Sequence, residues 1–147
     1  MKLKFIFYNK GFTMIELLIV IAVLGILAAI AIPTYLGERT KSMHSEAKSN
    51  LESLRLLEEQ YFADHGNYGP DGTYTYKGTY DESGSSDGGI EDLLRLFKPG
   101  DIKLLKFNYT LEISESGTKF KATAKGKTGT PVENTTFYID NNNNRNF

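Results

Sequence analysis

The chain has 147 residues, enough for one ordinary domain with a modest core, and a formal net charge of −1. It has no cysteine, which excludes disulfide staples, thiol nucleophiles and thiolate metal sites. Lys2, Lys4 and Lys10 fall in the first eleven residues, which hold no acid; beyond them 14 basic and 18 acidic side chains remain, a net charge of −4 and no footprint of a nucleic-acid binder.

Residues 17–37 form a run of 21 without a charge, long enough to span a bilayer as a helix. The three lysines before it place the N-terminus in the cytoplasm by the positive-inside bias. A cleaved secretory signal is also basic and then apolar. Here the run is long for a signal core, and Glu16 stands at its very start. A plain signal anchor is the other simple reading.

The helical pattern continues past Gly37 with a different character. Ala47, Leu51, Leu54, Tyr61 and Phe62 recur at spacings of three, four and seven, and Leu57 widens the face they define. Glu46, Lys48, Glu52, Arg55 and Glu59 take the wet side, with Lys48 and Glu52 spaced to pair weakly. The pattern fades at Asp64-His65-Gly66-Asn67, where Gly66 is a natural stop. One helix is therefore expected from about residue 12 to about residue 63, roughly 75–80 Å long at 1.5 Å per residue. Pro33 should interrupt it by removing a backbone donor.

Residues 68–89, rich in Gly, Tyr, Asp and Ser, read as a long surface loop holding a short strand near residues 74–80. Residues 90–98, with Ile90, Leu93, Leu94 and Phe97, read as a short amphipathic helix ended before Pro99-Gly100. The period then falls to two: Phe107, Tyr109, Leu111 and Ile113 alternate with Asn108, Thr110, Glu112 and Ser114. After the turn Glu115-Ser116-Gly117-Thr118 come Phe120, Ala122 and Ala124, then a Gly/Thr/Pro turn and a strand at 136–140. Three such strands predict an antiparallel meander packed on the amphipathic half of the long helix, each covering the apolar face of the other.

The segment Lys10-Gly11-Phe12-Thr13-Met14-Ile15-Glu16-Leu17-Leu18-Ile19-Val20, ending in Ala31-Ile32-Pro33, resembles the N-terminus of type IV pilins and of type II secretion pseudopilins. The match covers residues 10–35; Tyr61-Phe62-Ala63-Asp64-His65-Gly66-Asn67-Tyr68 resembles the helix-ending segment of many such subunits. Beyond Gly69 the likeness is one of architecture only. The resemblance implies a prepilin leader cut by a prepilin peptidase between Gly11 and Phe12, followed by methylation of the new Phe12 amine. The chain is then the substrate of that enzyme and not a catalyst.

The same resemblance implies a role for Glu16. An acid in a membrane segment costs a few kcal/mol and usually has a partner. That partner would be the freed Phe12 amine, in the same or a neighbouring subunit, and the pair would set axial register during assembly. Alternatively Glu16 reaches the headgroups from the end of the span. Pro33 and Gly25 either bend a membrane helix or mark a stretch that loses helix in the filament, as in the family.

Weaker signals each have an ordinary reading. Asp140, Asn142 and Asn144 alternate oxygen-bearing side chains that a hard cation could use, but one carboxylate among amides fits a polar tail better. His44 and His65 lack a ligand cluster and read as solvated. No Ser/His/Asp arrangement or glycine elbow supports nucleophilic catalysis. Asn108-Tyr109-Thr110 and Asn134-Thr135-Thr136 fit a glycosylation tripeptide of the kind that arises by chance. Phe12, Tyr35, Tyr61, Phe62 and Tyr68 are explained by packing and subunit contact without electron transfer.

Together these readings give an α+β fold: a long N-terminal helix, half transmembrane and half amphipathic, packed on a three-stranded antiparallel sheet as a pilin ladle. Residues 1–11 would be leader, 12–37 the hydrophobic filament-core helix, and 38–147 a periplasmic or extracellular head. The site residues are Gly11 and Phe12 for cleavage and methylation and Glu16 and Pro33 for assembly, with no catalytic, metal or cofactor site. The expected partners are other pilin subunits in a homopolymer, the prepilin peptidase, the inner-membrane assembly platform and the inner membrane itself. The expected course runs from a single-pass precursor in the inner membrane to a filament at the cell surface. There the fibre would support adhesion, motility or DNA uptake; the alternative is a pseudopilin of a type II secretion system. A signal-anchored enzyme would need a catalytic cluster in the head that the sequence does not show.

Overall fold

The computed structural model describes residues 11–78 and 88–147; residues 1–10, most of the expected leader 1–11, and the stretch 79–87 lie outside the described residues. The elements run α1 (Met14–His65), β1 (Gly72–Thr75), α2 (Ile90–Leu93), β2 (Phe107–Ser114), β3 (Lys119–Gly126) and β4 (Thr136–Asp140). Two compact units divide the chain at Arg39 and Thr40, and α1 is assigned across that boundary. Pro33 lies inside α1 without interrupting it, contrary to the expectation from its missing donor. The Thr34 hydroxyl donates to the Ile30 carbonyl at 3.0 Å, so the turn at the proline keeps a bond of another kind.

In the second unit, α1 buries Met43, Ala47, Leu51, Leu54 and Glu58, spaced four, four, three and four apart as one helical stripe requires. Phe62, expected in that stripe, sits at its margin, partly exposed, with its ring 4.7 Å from Tyr68. The helix stops at Gly66, which adopts φ 76° while its N–H donates to Phe62 O at 2.7 Å, the left-handed cap that glycine permits. The expected Lys48–Glu52 pairing gives way to other partners. Lys48 Nζ lies 5.0 Å from the Phe137 ring centroid, and Glu52 pairs with Arg55 and Arg145. His44 is not simply solvated: it is half-buried, its ring edge-on to Phe137 at 5.3 Å and to Phe107 at 6.4 Å.

The sheet has four strands in the order β1-β2-β3-β4, all antiparallel, where the sequence predicted three. The added strand, Gly72–Thr75, pairs along the free edge of β2 with Tyr74 opposite Leu111. In Gly-Thr-Tyr-Thr a single large side chain points inward, so no hydrophobic period announced it. The short strand expected near residues 74–80 is found at Gly72–Thr75, and residues 79 and 80 lie outside the described residues.

On the inner face β2 presents Phe107, Tyr109, Leu111 and Ile113, β3 presents Phe120, Ala122 and Ala124, and β4 presents Phe137 and Ile139, all buried. Small alanines on the central β3 let Leu111 and Ile139 close over them, since Ala122 pairs with both. On the outer face Glu112 and Asp140 flank Lys121 across the strands, a favourable charge row. The β2–β3 hairpin turns through Glu115, Ser116 and Gly117, all at positive φ. A Cβ at Gly117 would lie 2.5 Å from Gly69 O, which only glycine avoids. The Asp71 carboxylate fastens this turn by accepting from Ser116 N–H at 3.0 Å and Gly117 N–H at 2.9 Å.

Two further corrections concern the flanks. The helix expected over 90–98 is a single turn, because the backbone leaves helical geometry at Leu94 and a tighter turn brings Phe97 into the core. The C-terminal residues are no loose tail. Asn146 accepts from Tyr138 N–H and donates to Thr136 O, both at 2.9 Å, covering the outer edge of β4. Arg145 pairs with Glu52 of α1, and the Phe147 ring lies 5.9 Å from that of Phe137. Asp140 Oδ1 accepts from the N–H groups of Asn142 and Asn144, each at 2.9 Å, so the carboxylate serves its own loop. Partial desolvation opposes ionisation there, yet the bonds from Asn144 and Asn142 and the Lys121 charge hold its carboxyl below the usual value.

Candidate functional site

Among its described residues, the first compact unit leaves its helix uncovered. Between Phe12 and Leu36 sixteen large apolar side chains stand exposed on every side of the helix, from Met14 at 86% to Val20 at 47%. The stretch is long and apolar enough to cross a membrane by length and composition. Full burial of such side chains stabilises by about 1.5–3 kcal/mol each, so transfer out of water contributes on the order of 20 kcal/mol even at half value. That exceeds by far the ~3 kcal/mol that one carboxylate costs by insertion scales. An apolar surrounding is therefore favoured despite Glu16.

Glu16 is tied to the start of α1 by a reciprocal cap. Thr13 is the residue before the first helical position, and its N–H and hydroxyl donate to Glu16 Oε2 at 2.8 and 2.7 Å. In return Glu16 N–H donates to Thr13 Oγ1 at 3.3 Å, and Leu17 N–H makes the first helical bond to Thr13 O at 3.2 Å. This is a capping box, in which two end-groups of the helix satisfy each other. The signal Thr13-Met14-Ile15-Glu16 was present in the sequence as Thr-x-x-Glu before an apolar run, and it fixes the helix start at Met14 and not Phe12.

Of the sequence-predicted site residues, the structure brings Glu16 against Thr13 and leaves the others apart. Gly11 precedes the helix, exposed and outside any helix or strand, and a Cβ there would meet nothing within 4 Å. Phe12 is exposed beside it, its nitrogen still in the peptide bond to Gly11, so the amine that Glu16 is expected to meet does not exist before cleavage. Pro33 lies five turns along, far from Glu16 at 1.5 Å per residue. Added Cβ atoms at Gly25 and Gly37 likewise meet nothing, so no contact within the chain demands glycine at either place. Among the described residues no three His, Cys, Asp or Glu side chains converge as a metal site.

Residues 6–32 match the family model described as the prokaryotic N-terminal methylation motif. Over 60 residues the chain is 48% identical to the type IV major pilin protein PilA of Myxococcus xanthus, covering 41% of this chain and 27% of that protein. It is 43% identical over 60 residues to the type IV major pilin protein PilE1 of Neisseria gonorrhoeae, covering 41% and 36%. The fimbrial protein EcpC of Eikenella corrodens is 47% identical over 58 residues, covering 40% and 38%. The matched segment thus spans less than two fifths of each relative. No solved structure matches the chain.

Proposed function

We propose that this chain, whose N-terminal segment belongs to the type IV pilin family, is cleaved between Gly11 and Phe12, methylated at Phe12, and polymerised through residues 12–37 into a type IV pilus. The observation that carries the reading is a helical stretch apolar on all sides that no described residue of its own unit covers. Lipid covers such a helix before assembly, and neighbouring copies of it cover it afterwards. The two environments share one physical demand. In this reading residues 1–11 are leader and 38–147 are the head. Prepilin peptidase, assembly platform and inner membrane are the successive partners, and other subunits are the last. The cell surface is the destination, and adhesion, motility or DNA uptake would be properties of the fibre. Relatives named as major pilins and fimbrial proteins favour a pilus over a secretion pseudopilus.

Glu16 then meets the Phe12 amine released by cleavage. Desolvation strengthens that attraction and makes a missing partner costly, which is what a register device needs. Intact-mass spectrometry of sheared surface fibres tests the whole sequence of events. The expected species begins at methylated Phe12; fibres built from chains that retain residues 1–11 would overturn the proposal.

A further inference from the structure

Glu58 stands where the helical stripe calls for an apolar residue. It follows Leu51 and Leu54 on the buried face of α1, is 0% exposed, and neither carboxyl oxygen has a hydrogen-bond partner among the described residues. A carboxylate so placed costs far more than a neutral acid.

Among the described residues, the groups that act on Glu58 supply no compensating charge. On α1, Glu59 adds repulsion; Arg55 pairs with Glu52 at 3.5 Å and Glu59 at 4.0 Å. From the segment that follows the helix, Tyr68 and Tyr74 lie within electrostatic reach of Glu58, and Tyr61 and Asp71 act on Tyr74 in turn. Burial raises both Tyr68 and Tyr74, which keeps them neutral through the physiological range. On the inner faces of β2 and β3, Leu111, Ile113, Phe120 and Ala122 carry no titratable group, and Tyr109, which accepts from Asn50 at 2.8 Å, is pushed up by burial to about 12 and stays neutral. Tyr68 itself is buried, packed edge-on to Phe120 at 4.8 Å, and Tyr74 sits at the margin of the core.

We propose that Glu58 is a proton-dependent fastener, which holds residues 68–75 against α1 while its carboxyl is protonated and loosens them as the proton is lost. The proton leaves to solvent when the segment lifts and the carboxyl is wetted, and below about pH 8 reseating takes it up again.

The pH window follows from the environment. Burial first, and the Glu59 charge second, raise the Glu58 carboxyl from 4.5 to about 8. The closed form therefore keeps its proton over a range in which the open form has lost it. Below about pH 4.5 both forms are protonated and the contact is tightest. Opening then grows about tenfold per pH unit up to about pH 8 and levels off above it.

Hydrogen exchange on the full-length chain in nonionic detergent, corrected for the intrinsic pH dependence of exchange, measures this directly. Between pH 5.5 and 8, protection of amides in 67–76 should fall on the order of a hundredfold. Amides of the C-terminal 141–147, which Asn146, Arg145 and Phe147 fasten through contacts that do not involve Glu58, should stay within about threefold. In Glu58→Gln and in Glu58→Leu the fall over 67–76 should shrink below about threefold. A wild-type segment with flat protection, a fall shared equally by 141–147, or a fall that survives in either folded variant would overturn the proposal. Infrared spectroscopy of the wild-type chain needs no variant. A protonated-carboxyl band should persist at pH 6.5 and vanish by pH 9.5, and its absence at pH 6.5 would refute the fastener.

Discussion

Leu111 is the position at which the packing of the head is most directly tested. It is fully buried at the middle of β2, with Tyr74 opposite on β1 and Ala122 opposite on β3. Leu111→Ala removes three buried carbons where a sheet paired on both sides cannot collapse into the space, a change that costs about 3 kcal/mol. For the compact unit Thr40–Phe147, unfolding entropy of ~2.1 cal/mol/K per residue makes that loss worth roughly 13 °C in melting temperature. Leu111→Asp adds a desolvated carboxylate with no partner, and the total exceeds much of the ~5–15 kcal/mol available to a domain this size. The fragment 40–147, melted by circular dichroism, should lose about 13 °C with Ala and its cooperative transition altogether with Asp. Glu112→Ala, on the outer face of the same strand, should move the midpoint by only about 2–4 °C. A Leu111→Asp fragment that melts like its parent would show the inward and outward faces to be wrongly assigned.

Gly126→Ala should cost the same fragment about 2–3 kcal/mol in urea unfolding, because the new Cβ would lie 1.7 Å from Val132 O and the backbone must shift; an unchanged midpoint would remove that close approach. Deleting residues 145–147 strips β4 of its Asn146 bonds and α1 of the Arg145 pair, so light scattering should reveal concentration-dependent self-association of the fragment through the bared edge. A truncated fragment that stays monomeric at millimolar concentration counts against that covering role. In cells, Glu16→Leu and Glu16→Gln chains should both be cleaved after Gly11 and yet yield few or no sheared fibres. Normal fibre yield from either as sole subunit would sink the charge-register mechanism.

The long helix and the meander were legible because their signals are periodic and extended. Phe107 to Ile113 alternate without exception, and the inner face follows that alternation residue for residue. The uncharged run of 17–37 admits one interpretation at the level of solvent preference. What the sequence hid was held by single residues or by contacts distant in the chain. β1 was expected as a short strand near 74–80, but its one inward side chain gave no sign of its bounds or of its place in the sheet; α2 is cut short because Leu94 and Phe97 both seek the core from a turn. His44 reads as a polar helix residue until Phe107 and Phe137, some 60 and 90 positions later, are folded over it. Glu58 was hidden by its own charge. A binary pattern assigns a glutamate to water, and only the stripe Met43-Ala47-Leu51-Leu54 around it shows that water is not there. At the candidate site the motif was plain from sequence, whereas the cap that Thr13 gives Glu16 was overlooked although its spacing was on view.

That cap changes what the Glu16 substitutions can distinguish. A carboxylate entering an apolar filament core must be stabilised by donors, and Thr13 already supplies two of them to Oε2. Part of the desolvation cost is therefore met within the chain before any second subunit arrives. If capping were the whole role of Glu16, Glu16→Gln would serve nearly as well, since its amide oxygen can accept from the same Thr13 groups and Glx at this position completes a capping box. Glu16→Leu would then lose only the cap, about 1 kcal/mol at the helix start, and the gain from removing a buried charge would outweigh it. Under capping alone, then, Gln and Leu chains both assemble. A register role predicts that both fail, because neither meets the charge of the freed Phe12 amine, and an unpaired buried amine costs about 3–5 kcal/mol. Thr13→Val separates the roles from the other side: it removes the hydroxyl of the cap, keeps the carboxylate, and should lower fibre yield only modestly. If Thr13→Val abolished fibres while Glu16→Gln made them normally, the box itself, and not the charge, would be what assembly requires.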